Sequence, residues 1–179
     1  MACGHLAERL GARILGLGAY TSVVGDAGET IARRLDIPVT NGDAYTVYTA
    51  IEAVREAARQ MGLSMGESTA AVVGATGVIG RVCAQILARE VAELVLIGLR
   101  STMLAEVHAQ CSGHRARVRS GTELGAISKA DLVLAVTSAT TAVIEPEHLQ
   151  PGAVVCVVAR PLSVSRPVAD VRDLSLILI

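Results

Sequence analysis

The sequence predicts an α/β protein, a doubly wound parallel sheet preceded by a partial α/β lobe and a connecting helix. Three observations predict it. Short apolar runs alternate with helix-period stripes through residues 67–179, as in strand–helix–strand units. A glycine-rich turn separates the first of those runs from the first stripe. Apolar residues make up 51% of the 179 residues and charged residues 18%, enough to fill a core and too apolar for a disordered chain.

The elements follow in order. Residues 13–17 predict a strand ending at Gly18, residues 30–35 a helix, and residues 38–40 an extended segment. Residues 43–62 predict a longer helix. Tyr48, Ile51, Val54, Ala58 and Met61 recur on it at spacings of three and four, and Asn41 or Asp43 can cap its start. Glycines and serines at 62–68 then interrupt the pattern, which divides the chain into residues 1–66, a partial substrate lobe with its connecting helix, and residues 67–179. Beyond the division, residues 70–73 predict a buried strand. Ile79, Val82, Cys83, Ile86 and Leu87 form a helical stripe, and 94–97 predict the next strand. A helix over 102–111, a short strand over 117–119 and a weak helix over 123–128 follow. Residues 132–136, 154–158 and 174–179 are the remaining strands, the second of them after the turn Gln150-Pro-Gly152. The chain starts near its first strand and ends on its last, so the sequence is expected to be a piece of a longer protein.

Composition excludes several functions. The net charge is −1, with no basic patch for nucleic acid. Phe and Trp are absent, and the only aromatics are Tyr20, Tyr45 and Tyr48, too few for a base-stacking surface. No apolar run reaches the ~18–20 residues of a membrane helix. The amino terminus has no secretory pattern, and the four cysteines have no CxxC or framework spacing. A reducing cytoplasm is the expected location.

The chemistry-bearing motif is Val72-Val-Gly-Ala-Thr-Gly-Val-Ile-Gly80, a GxxGxxG turn between a strand and an amphipathic helix. Gly74 permits a tight turn, Gly77 lets backbone approach a pyrophosphate, and Gly80 lets helix and strand pack closely. Ala75, Thr76, Val78 and Ile79 complete the loop, whose free N–H groups would face the phosphates. This context predicts a Rossmann-like dinucleotide domain. At the end of the second strand, where an acid would bond the ribose hydroxyls of NAD, stand Arg100, Ser101 and Thr102. An arginine with two hydroxyls suits a 2′-phosphate, so the expected cofactor is NADP(H). Thr137 and Ser138 after the fourth strand, and Ala159 after the fifth, are small residues expected beside the nicotinamide. Thr21, Ser22 and Asn41 are weaker candidates for a substrate cleft, with helix capping an equal account of Asn41.

Other residues carry less. Cys83 and Cys156 are expected in the core, Cys3 near a frayed terminus, and Cys111 at a solvated helix end between His108 and His114. Three such ligands fall short of a closed zinc site, and no metal is expected. Gly16-Leu-Gly-Ala-Tyr-Thr-Ser-Val-Val-Gly25 fails as a second dinucleotide loop, because Tyr20 is too large for it. No catalytic residue is identified.

Together, the runs Gly16–25, Val39-Thr-Asn-Gly-Asp-Ala-Tyr-Thr46 and Ala71–80 resemble the middle of long-chain acyl-acyl carrier protein reductases, the aldehyde-forming enzymes of cyanobacterial type. Ala130-Asp-Leu-Val-Leu-Ala-Val-Thr-Ser138 is similar to that family too, and also to shikimate dehydrogenases and glutamyl-tRNA reductases, so it is less specific. The first resemblance implies NADPH-dependent reduction of an acyl carrier protein thioester through a cysteine that none of Cys3, Cys83, Cys111 and Cys156 matches. A homo-oligomer is compatible with it. The alternatives are a shikimate-dehydrogenase-like NADP oxidoreductase and a non-catalytic dinucleotide-binding module. The former would want a Lys–Asp pair in the substrate lobe, whereas the sole lysine, Lys129, lies in the nucleotide domain.

Overall fold

The computed structural model describes residues 2–18, 26–137, 143–158, 163–165, 167–168 and the backbone of 175–178. The chain forms two compact units, Met1–Thr46 and Val47–Ile179.

The first unit holds helix α1 (Ala2–Arg9), strand β1 (Leu15–Gly16), the one-turn helix α2 (Glu29–Ala32) and strand β2 (Val39–Thr40). β1 and β2 pair in parallel, Leu15 opposite Val39. α1 corrects the expectation of a frayed terminus. Gly4 is buried on it, and a Cβ there would lie 2.7 Å from Leu35 Cδ1, so the glycine lets the helix sit against that leucine. The Asp26 carboxylate accepts from the Thr30 N–H in the first turn of α2, at 2.8 Å.

Helix α3 (Asp43–Gln60) spans the junction between the units. The second unit continues with β3 (Thr69–Val73), α4 (Val78–Leu87), β4 (Glu93–Ile97), α5 (Ser101–Cys111), β5 (Arg117–Gly121), β6 (Leu132–Ala135), β7 (Val154–Val157) and β8 (Ser175–Leu178). Single 3₁₀ turns stand at Met65–Glu67, Leu124–Ile127 and Pro146–His148. The six strands form one sheet in the order β5-β4-β3-β6-β7-β8, and every pairing is parallel.

The strands read as continuous apolar runs because both faces of the sheet are covered. Ala70, Val72, Leu94, Leu96, Leu132, Leu134, Val154 and Cys156 point to one face, against α3, α4 and α5. Ala71, Val73, Val95, Ile97, Val133, Ala135, Val155 and Val157 point to the other, against Ile127, Ile144, Val164 and Val168. Burying each such Val or Leu side chain contributes about 1.5–3 kcal/mol. β5 is the exception, an edge strand with exposed Arg117 and Arg119 that blunt further pairing.

Two helical stripes differ in part from the sequence expectation: Ile51, Val54, Ala58, Cys83 and Leu87 are buried as expected, and Ile79 and Ile86 pack against the core. On α3 the buried residues are Val47, Ala50, Ile51, Val54, Ala57 and Ala58, while Tyr48 is 59% and Met61 44% exposed. On α4 they are Gly80, Cys83, Ala84 and Leu87, while Val82 is 40% exposed. In both helices the small residues face the sheet and bring the helix close to it. Tyr48, Met61 and Val82 lie off the buried face.

Candidate dinucleotide site

The order of the sheet reverses between β3 and β6, and their carboxyl ends diverge there into loops on opposite sides. Ligands of open α/β sheets lie in this crevice. The glycine loop is built at that point. Gly74 has φ +93°, and a Cβ on it would lie 2.8 Å from the Thr137 backbone at the end of β6. Only glycine fits both the turn and the neighbouring strand end. The Gly74 and Ala75 N–H groups both donate to Ile97 O, at 2.9 and 3.0 Å, which ties the loop to the end of β4.

Gly77 and Gly80 are glycines for different reasons. A Cβ at Gly80 would lie 2.2 Å from Gly74 O, so α4 can approach the loop only without a side chain there. A Cβ at Gly77 would meet only Gly74 O, at 3.4 Å, and its φ of −74° suits any residue. The protein itself leaves the space beside Gly77 open. Gly77 is the N-cap of α4 and supplies no side-chain cap. Arg81 N–H donates to Gly77 O, so Val78, Ile79 and Gly80 carry first-turn N–H groups that have no intrahelical acceptor. An open cradle at a helix start, with the positive end of the dipole behind it, fits a pyrophosphate.

The second recognition segment follows β4. Gly98 N–H donates to Gly121 O at 3.3 Å, and Leu99 is 92% exposed. Arg100 is the N-cap of α5, and Ser101 and Thr102 are the exposed start of that helix. The Arg100 guanidinium lies 3.3 Å from Met103 Sδ and forms no ion pair with a carboxylate among the described residues. Leu104 N–H donates to Arg100 O, so the first-turn N–H groups of α5 lack intrahelical acceptors too. The loop and this segment stand on adjacent strands, since Val73 pairs with Ile97.

A family model described as shikimate / quinate 5-dehydrogenase matches residues 55–179. The chain belongs to that family. Its second unit is therefore an NAD(P)-binding Rossmann domain of an oxidoreductase family. Aminotransferase PigE of Serratia sp. (strain ATCC 39006) is 30% identical over 169 residues, 91% of this chain but 19% of that protein. The A chain of dipicolinate synthase from Bacillus subtilis has the same fold, with a TM-score of 0.65 at 16% identity over 93% of this chain and 56% of that one. Glutamyl-tRNA reductase from Methanopyrus kandleri gives 0.59 at 22% identity, over 74% of this chain and 34% of that one. The chain thus spans about a fifth of the curated relative and about half or less of these structures.

These matches correct the resemblance to acyl-acyl carrier protein reductases. The family that matches is the shikimate / quinate 5-dehydrogenase one, which the run Ala130–138 already resembled. Thioester reduction and the acyl carrier protein partner rested on the overturned resemblance and lose their basis with it.

The remaining candidates divide. Thr137 is half-buried against Gly74 at the end of β6. Ser138, Ala159, Thr21 and Ser22 lie outside the described residues. The Asn41 side chain is engaged locally: its Oδ1 accepts from Asp43 N–H at 3.1 Å, and its Nδ2 donates to Asp43 Oδ2 at 2.9 Å. That is an Asx turn leading into α3.

Cys83 and Cys156 are buried, and desolvation pushes their thiols up to about 11 and about 12. Cys111 is buried as well, which corrects the solvated helix end expected for it. It follows Leu104 and Val107 on the face of α5 turned to the sheet, and burial raises its thiol too. Among the described residues no group of three His, Cys, Asp or Glu gathers to hold a metal ion. No helix among them is long and apolar enough to cross a membrane.

Proposed function

We propose that the second unit binds NADP(H) in preference to NAD(H) and serves hydride transfer in an oxidoreductase. The observation that carries the preference is Arg100. It stands at the end of β4, where an acid would bond the ribose hydroxyls of NAD, and no carboxylate among the described residues neutralises it. A 2′-phosphate there would meet the guanidinium, the Ser101 and Thr102 hydroxyls and the first-turn N–H groups of α5. Leu99 offers an apolar surface for the adenine, and the cradle at Gly77–Gly80 takes the pyrophosphate. When bound, the nicotinamide supplies the hydride. The chain's own part is to hold the dinucleotide across the switch point, with the nicotinamide end beyond β6 near Thr137.

Titration of the chain with NADPH and with NADH tests the proposal. Tighter NADPH binding, by about ten- to a hundredfold, is the expected result, from a charge-assisted contact of about 1.5–3 kcal/mol. Arg100→Ala should bring the two affinities together. Equal affinities in the parent chain would overturn the NADP reading.

A second reading, a dinucleotide-binding module without turnover of its own, is favoured by one observation. Lys129, the only lysine, stands in the second unit just before β6 rather than in the first. NADP-dependent oxidation of shikimate or quinate by the chain would exclude it.

A further inference from the structure

Thr76 and Gly98 lock together between the two recognition segments. A Cβ at Gly98 would lie 2.8 Å from Thr76 Cγ2 and 3.4 Å from Thr76 Oγ1, with Leu104 Cδ1 also at 3.4 Å. Gly98 is outside the positive-φ region, so its backbone does not require glycine. The Thr76 side chain requires it. Thr76 itself stands where the dinucleotide loop turns toward α4, and it is half-buried. Its hydroxyl has no hydrogen-bond partner among the described residues. The hydroxyl is half-exposed and uncommitted among those residues, so it is free to donate to a ligand held by this loop.

Resting on the NADP(H) reading above, we infer that Thr76 determines cofactor specificity: its hydroxyl donates to the ribose 2′-phosphate, and Gly98 is glycine to seat it. The side chain lies over the end of β4, one residue past Ile97 and two before Arg100, which is the ribose end of the site. Thr76 is β-branched and has a single rotatable side-chain torsion. An alanine at position 98 would force the Cγ2 methyl away, and the hydroxyl would rotate with it. The loop carbonyl tie at Ile97 keeps the backbone from absorbing the change.

The test measures Kd for NADPH and NADH, with thermal midpoints, in five proteins: the parent, Thr76→Val, Thr76→Ser, Gly98→Ala and the double variant Gly98→Ala/Thr76→Ser. Thr76→Val keeps the shape and removes the donor. It should weaken NADPH about tenfold, the size of one charge-assisted hydrogen bond, and leave NADH within about twofold. Thr76→Ser keeps the donor and should bind as the parent does. Gly98→Ala should weaken NADPH, and the double variant should recover most of the loss, because serine lacks the methyl that clashes. A role in packing alone would shift the midpoint and both cofactors together. Three results would overturn the inference: an unchanged NADPH affinity in Thr76→Val, equal losses of NADPH and NADH, or no recovery in the double variant. If the parent prefers NADPH and Thr76→Val leaves the ratio of NADPH to NADH affinity unchanged, this inference fails alone. If the parent shows no preference, the NADP(H) reading fails with it.

Discussion

Gly77 and Gly80 stand three residues apart and do opposite things. Gly80 serves the fold, since any side chain on it would run into Gly74 O. Gly77 serves the ligand, since the protein leaves the space beside it open. Gly77→Val should therefore nearly abolish dinucleotide binding and leave the thermal midpoint within a few degrees of the parent. Gly80→Val should cost about 1–3 kcal/mol or more through overpacking and lower the midpoint clearly. Differential scanning fluorimetry with and without NADPH separates the two. The cysteines give a second test at this scale. A thiol raised from 9.0 to about 11 or 12 keeps its proton in the folded chain after the unfolded chain has lost it. The stabilisation is full below 9.0 and is lost as pH rises through the folded values. The urea midpoint should fall from neutral pH to about pH 10, and less so in Cys156→Ala. In the native state only Cys3, exposed on α1, should react quickly with a thiol reagent.

Helix faces were harder to read from the sequence than strands, and α3 shows why. The large apolar residues Tyr48 and Met61 suggested one stripe, but the sheet receives Ala50, Ala57 and Ala58 with Val47, Ile51 and Val54. Alanine carries no strong hydrophobic signal, yet it decides how closely a helix can lie on a sheet. Val54→Ala should cost about 1–3 kcal/mol by leaving a cavity, whereas Tyr48→Ala should cost under about 1 kcal/mol. Chemical denaturation of both variants checks this. The α1 helix was missed because it is only eight residues long and its one buried position is a glycine. Strands were legible for the opposite reason. Burial on both faces leaves a strand such as β7 uniformly apolar, and no period has to be found in it.

The order of the whole sheet turns these local readings into a site. β3 at the centre brings the glycine loop to the reversal, β4 carries Arg100 beside it, and β6 ends at Thr137 on its other side. The glycine loop was legible because phosphate binding demands glycines at fixed offsets between strand and helix. The Thr76–Gly98 contact was not, because it joins the loops that follow two different strands. The same physics explains why the family was misread. A strand, a glycine turn and an amphipathic helix recur wherever a dinucleotide is held, so these motifs report the cofactor more faithfully than the reaction. Dinucleotide binding at this carboxyl edge is tested most directly by an NMR titration of the ¹⁵N-labelled chain with NADPH. The backbone N–H signals of Gly77–Gly80 and Arg100–Thr102 should shift, with smaller changes elsewhere. Saturable shifts confined to other residues, or none at millimolar NADPH, would contradict it.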